Sequence, residues 1–270
     1  MVKKFIIKSC YFSSIGLVPF FVVVGLYTYF DPFKVLHEYE SFYDNDAKAF
    51  VTLDKDYVST TTFIKNNEIL NYNSFILGNS RSIFYQTSDW KTHLDKNDAC
   101  FHFDANGESI WALTKKVEFI DRSGNDIKNM LLILDGGTLI SVKPKTSHLM
   151  AVSPALLDNA NYSEFHKTFF KAFLSPKFFY AFMDYKVSGH IKPYMKQQNL
   201  LDDRSRVYDN KTNELRFEHF EKLIQENKYY TPERMSVFYE RDTTKQVYSG
   251  QFIEDIQKKF LESIASIINK

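Results

Sequence analysis

The chain has 270 residues, 44% of them hydrophobic and 25% charged, which is the balance of an ordinary globular protein. Its formal net charge of +1 supplies no global field for nucleic acid, so nucleic acid is not expected as a partner. Two cysteines exclude a disulfide framework. Cys10 falls in an apolar helix and Cys100 in a predicted strand, so the two are not expected to pair. Lys8, close before Cys10, argues against lipidation there. The 26 Phe and 17 Tyr predict an aromatic-filled core, with an aromatic substrate groove as the alternative.

Lys3, Lys4 and Lys8 precede a run from Ser9 to Phe30 that carries no charge, and Asp31 follows it. As a helix this run spans roughly 33 Å, close to the thickness of a bilayer's hydrocarbon core. The basic flank places the N-terminus in the cytoplasm. Tyr27, Tyr29 and Phe30 suit the outer interface, and a kink at Pro19 is tolerated in a membrane. A cleaved signal peptide would have a shorter apolar region and an A-x-A-like site, and neither is present. Residues 1–8 are therefore expected as a cytoplasmic tail, 9–30 as a single transmembrane anchor, and the remainder as extracytoplasmic.

Residues 31–73 read as a mostly helical connector. Pro32 stops the anchor, and Val35, Tyr39, Phe42 and Tyr43 form an apolar face. Three short apolar runs follow: Ser74–Leu77, ended by Gly78; Ala99–Phe103, ended by Asp104–Gly107; and Met130–Leu134, ended by Asp135-Gly136-Gly137. Helix and loop are expected between the first two. Ile110, Leu113, Val117 and Ile120 repeat at helical spacing between the second and third. Short buried strands alternating with helices predict an α/β domain over 74–270 with a parallel sheet.

Residues 138–250 break that rhythm and read as a helical insertion. Its aromatic stretch, Phe165–Tyr185, predicts two helices split at Pro176, either packed on the sheet or forming a lid. The final segment, Gln251–Lys270, places Ile253, Ile256, Phe260, Ile264 and Ile267 on one stripe, as in a helix covering the sheet.

In open α/β sheets, ligands bind beyond the carboxyl ends of the strands. Two strand-ending loops there are Gly78-Asn79-Ser80-Arg81-Ser82 and Asp104-Ala105-Asn106-Gly107-Glu108-Ser109. The first resembles the Gly-Asp-Ser nucleophile block of the SGNH (GDSL-type) hydrolases. The second resembles their glycine block. The layout of anchor, connector and strand–Gly-x-Ser resembles the membrane-anchored extracytoplasmic branch, which acts on acyl esters of cell-envelope polymers. The resemblance implies a flavodoxin-like three-layer sandwich with a mostly parallel sheet. It makes Ser80 the nucleophile of an esterase or O-acyltransferase, with the Ser80 and Gly107 N–H groups as the oxyanion site. Asn79, Arg81, Asn106 and Asp135 are then candidate substrate-binding residues, with an envelope glycan as the partner.

The chain also departs from that pattern. Asp135-Gly136-Gly137 stands where the family supplies an Asn, and no Asp-x-x-His occurs. A serine without a base is a weak nucleophile at neutral pH. The chain ends after a covering helix, so a truncated hydrolase and an inactive relative are both open. The non-catalytic alternative is an anchored glycan- or partner-binding protein that uses the aromatic insertion. Individually, several of these residues have ordinary structural readings. Asp135-Gly136 is turn chemistry, Arg81 can cap a loop, and His102 on its strand is expected as a packed core residue. Asn161 and Asn210 begin N-x-[ST] sequences, which arise often by chance. Zinc spacings, phosphate loops and dinucleotide fingerprints are lacking, so no metal and no cofactor is predicted.

Overall fold

The computed structural model describes residues 2–43, 50–196, 201–202, 207–237 and 253–269, with the backbone alone at 9, 10, 12, 13, 15, 16, 50, 196, 201 and 202. The chain runs through α1 (Val2–Phe30), β1 (Phe50–Val51), α2 (Lys55–Leu70), β2 (Ser74–Gly78), α3 (Thr87–Lys91), β3 (Cys100–Asp104), α4 (Ile110–Arg122), β4 (Asn129–Ile133) and α5 (Gly136–Ile140). It continues through α6 (Tyr162–Phe173), α7 (Pro176–Ser188), α8 (Pro193–Lys196), β5 (Leu201–Asp202), β6 (Val207–Tyr208), β7 (Leu215–Arg216), α9 (Glu218–Gln225), α10 (Pro232–Met235) and α11 (Asp255–Ile268). Much of the expected insertion is described, but 197–200, 203–206 and 238–250 lie outside the described residues.

The three apolar runs form one parallel sheet in the order β3-β2-β4. Gly78 at the end of β2 lies opposite Asp104 on one side and Ile133 on the other. Side chains alternate faces along a strand. Phe75, Leu77, Phe101 and Phe103 therefore share one face, where they meet Phe63 of α2, the Ile110–Leu113–Val117–Ile120 stripe of α4, and Ile264 of α11. The fold is thus mixed α/β around a small parallel sheet.

Local sequence explains the helix starts. The Asp54 carboxylate accepts the Asp56 N–H at 3.0 Å and begins α2, which ends at left-handed Asn71. The Ser109 hydroxyl accepts the Ala112 N–H and begins α4.

Two expectations change. Among the described residues of the connector only α2 is helical, and 44–49 lie outside them. In 31–43, the Asp31 carboxylate accepts the backbone N–H groups of Val35, Leu36 and His37, and Asp31 and Lys34 both have positive φ. That local capture competes with a helix ladder. The aromatic stretch does form two helices meeting at Pro176, but α6 and α7 pack on the end of α1. Tyr27 lies against Phe170 and Phe173, Phe30 against Phe182, and Phe33 stacks on Phe178. The final helix, α11, docks on α4 and reaches the core on the sheet through Ile264. Its stripe is buried at Ile264, while Ile253 and Ile256 remain exposed.

Among the described residues, no helix is long and apolar enough to cross a membrane.

Candidate functional site

With β2 central, the chain leaves β2 for β3 on one side and then crosses back past β2 to β4 on the other. The strand order reverses at β2, which makes its carboxyl end a topological switch point, the place where open α/β sheets bind ligands. The Asn79-Ser80-Arg81 turn stands there, beside the turn that follows β4.

These two turns interlock. Asn79 is buried, and its Nδ2 donates to Asp135 Oδ2 at 2.7 Å and to Thr138 Oγ1 at 3.1 Å. Its Oδ1 accepts the Arg81 N–H at 2.9 Å, closing an Asx-type turn under Ser80. The Asp135 carboxylate also accepts the Thr138 N–H, capping α5, and pairs with the Arg81 guanidinium at 2.9 Å. Partial burial opposes charge on Asp135, but the Asn79 and Thr138 hydrogen bonds and Arg81 outweigh it and hold the carboxyl below its ordinary pKa. Asp135-Gly136-Gly137 is therefore both a helix cap and the partner of the serine turn.

Ser80 sits on top of this turn with its side chain exposed, and it forms no side-chain hydrogen bond among the described residues. The nearby serine–histidine pair belongs to Ser82. Ser82 and His102 are both buried, with Oγ and Nε2 2.9 Å apart. The Ser82 hydroxyl donates to the Asn79 carbonyl at 2.8 Å, so it accepts from His102, whose proton is then on Nε2. Burial pushes the His102 pKa down to about 4. A neutral imidazole already donating to Ser82 has no proton-accepting role toward it. This pair ties β3 to the turn, and His102 is a packed core residue, as expected.

Gly107 takes a left-handed conformation, φ +60°. It lines a narrow recess with Asn106, Lys145 and Met150, and Asn106 Nδ2 donates to the Leu149 carbonyl. No described hydrogen bond or cavity joins this recess to Ser80. Of the six candidate site residues, the structure brings Asn79, Ser80, Arg81 and Asp135 together and leaves Asn106 and Gly107 in a separate loop.

No family model, characterised protein or solved structure matches this chain.

Sequence reasoning missed a buried ionic network beneath the same sheet edge. Lys116 is fully buried and pairs with Asp56 at 2.9 Å and with Glu108. Burial would discharge this lysine, but the two carboxylates hold its pKa above the ordinary value. Alongside it, Lys55 pairs with Asp104 at 2.8 Å, and Asn213 Nδ2 donates to the other Asp104 oxygen at 3.0 Å. Burial and the Asp56 charge push the Asp54 carboxyl well above its usual range, despite the N–H groups it accepts from Ala151 and Asp56. One signal was available. Lys116 falls between Leu113 and Ile120, at the three- and four-residue spacings of the apolar stripe. Among the described residues, no cluster of His, Cys, Asp or Glu is arranged to hold a metal ion.

Proposed function

We propose that this is a membrane-anchored, extracytoplasmic protein of SGNH-like design. On this reading, the chain binds a cell-envelope glycan at the Ser80–Arg81–Asp135 edge without hydrolysing it. The anchor reading rests on the uncharged Ser9–Phe30 stretch of α1, its basic N-terminal flank, and the exposure of Leu17, Val18, Phe20, Phe21 and Val22. The observation that carries the binding reading is Ser80 itself. Its hydroxyl stands open at the switch point, next to an Arg81 side chain that is 74% exposed, yet among the described residues no base lies within hydrogen-bond reach. An exposed hydroxyl and guanidinium beside a partly buried carboxylate suit the hydroxyls and acyl carbonyls of a sugar polymer.

The exposed serine also favours a second reading, an esterase or O-acyltransferase with Ser80 as nucleophile. That reading needs a proton acceptor that the described residues do not bring to Ser80. Two measurements on the full chain in nanodiscs separate the readings. An O-acetylated envelope polysaccharide should co-sediment with the wild type and several-fold less with Arg81→Ala. A serine-directed fluorophosphonate should leave the protein unlabelled. Labelling that disappears in Ser80→Ala would replace binding with catalysis. Neither binding nor labelling would defeat both readings.

A further inference from the structure

The aromatic hairpin α6–α7 grips the last turns of α1. Val23, Leu26, Tyr27 and Phe30 all belong to the apolar cluster built from Phe165, Phe169, Phe173, Phe178 and Phe182. These α1 residues lie inside the uncharged run. The part of the run that precedes Val23, Ser9–Val22, measures only about 21 Å as a helix, against a hydrocarbon core of about 30 Å. A bilayer spanned by α1 must therefore reach the level at which the hairpin is packed.

The outer surface of the hairpin fits that position. Tyr180 is 70% and Val187 85% exposed, and Tyr162 and Leu174 are exposed as well. Lys167, Lys171, Lys177 and Lys186 are exposed around them, against Glu164 and Asp184. Asp184, which shares a face of α7 with Tyr180 and Val187, is paired with Lys192 at 2.7 Å and accepts a hydrogen bond from Tyr194. The Lys186 ammonium lies over the rings of Phe30 and Phe182, at 5.1 and 5.3 Å from their centroids, so its stem follows apolar surface toward water. Aromatic side chains ringed by lysines suit the headgroup layer of an anionic membrane.

We infer that the α6–α7 hairpin is a membrane-contacting element, seated in the lipid headgroup layer where α1 leaves the bilayer. This rests on the anchor reading above, and it turns the aromatic insertion from a glycan wall into a lipid-facing foot. The foot would hold the sheet edge at a fixed height over the membrane.

The test uses the full chain in vesicles of phosphatidylcholine with phosphatidylglycerol. Tyr180→Trp and Val187→Trp add reporters, with Tyr230→Trp as a control far along the chain and the wild type as background. Lipids brominated near the top of the acyl chain should quench the added fluorescence at 180 and 187 and leave 230 unchanged. Combining Lys167→Glu, Lys171→Glu and Lys177→Glu should reduce that quenching. Retention after an alkaline carbonate wash reads the anchor separately. A retained protein with unquenched reporters at 180 and 187 overturns the hairpin inference alone. Release by the wash overturns the anchor and the inference together. Unquenched reporters with a disulfide-linked dimer through Tyr180→Cys would assign the surface to a second copy instead.

Discussion

Asn79 and Asp135, far apart in sequence, are joined by a 2.7 Å hydrogen bond that locks the turn after the central strand to the turn after its neighbour. The amide is what makes this possible, because it offers a donor to a carboxylate. Asn79→Asp would create a Gly-Asp-Ser order and place two carboxylates at the same contact. Like charges at this range are unfavourable unless one is protonated. The variant should melt below the wild type at neutral pH, by about 1–3 kcal/mol, and recover part of that loss near pH 4. Thermal melts across pH would show it, and equal melting at both pH values would refute the repulsion.

The two serines of the turn should behave oppositely. Ser80→Ala removes an exposed hydroxyl and should change stability by no more than about 0.5 kcal/mol. Ser82→Ala strips His102 Nε2 of its buried acceptor and should cost about 1–3 kcal/mol. Urea unfolding of both variants checks this pair.

His102 also predicts a pH dependence. Its pKa falls to about 4 in the folded protein, against about 6.5 in an unfolded chain. The unfolded state therefore binds more protons between those values, and stability rises with pH through that window. The contribution is complete above about pH 6.5 and is lost as pH falls toward 4, amounting to about 3 kcal/mol. Denaturation midpoints should drop over that range in the wild type, and His102→Asn should flatten the drop.

Among the described residues, Lys116 is the cation that pairs with both Asp56 and Glu108. Lys116→Met would leave two buried carboxylates without it. Breaking a buried ion pair from one side typically costs about 3–5 kcal/mol, a large share of a domain's stability. Replacing Asp56, Glu108 and Lys116 together by apolar residues should cost less than Lys116→Met alone, as denaturant titration would reveal.

Gly107→Ala meets two obstacles. Its φ of +60° disfavours a side chain by about 1–2 kcal/mol, and the new Cβ would sit 3.1 Å from Lys145 Nζ. The lysine end can shift, so backbone strain should set the loss. Gly107→Asn should cost less than Gly107→Ala, because Asn tolerates the left-handed region, and comparing their melts checks the assignment.

The sheet was legible because each strand is a compact apolar run ended by turn residues, and α4 was legible because its stripe repeats at 3.6-residue spacing. The segment after α1 misled because Val35, Tyr39 and Phe42 are spaced as in a helix, while the deciding interaction is the Asp31 carboxylate folding back on its own backbone. The hairpin's seat on α1 was hidden because aromatic periodicity shows which face is buried but not what covers it. Gly78-Asn79-Ser80 was legible as the turn that ends β2. The histidine contact went to Ser82, since that depends on which way the turn rolls over β3. The ionic network was obscured by the general rule that lysine is exposed.

The grip of α6 and α7 on Tyr27 and Phe30 has a practical corollary for anyone preparing a soluble fragment. Cutting the chain after Asp31 would strip away the rings that cover Phe170, Phe173 and Phe182. The shortened product would present bare benzene faces to water and clump, so detergent would be required even for that fragment.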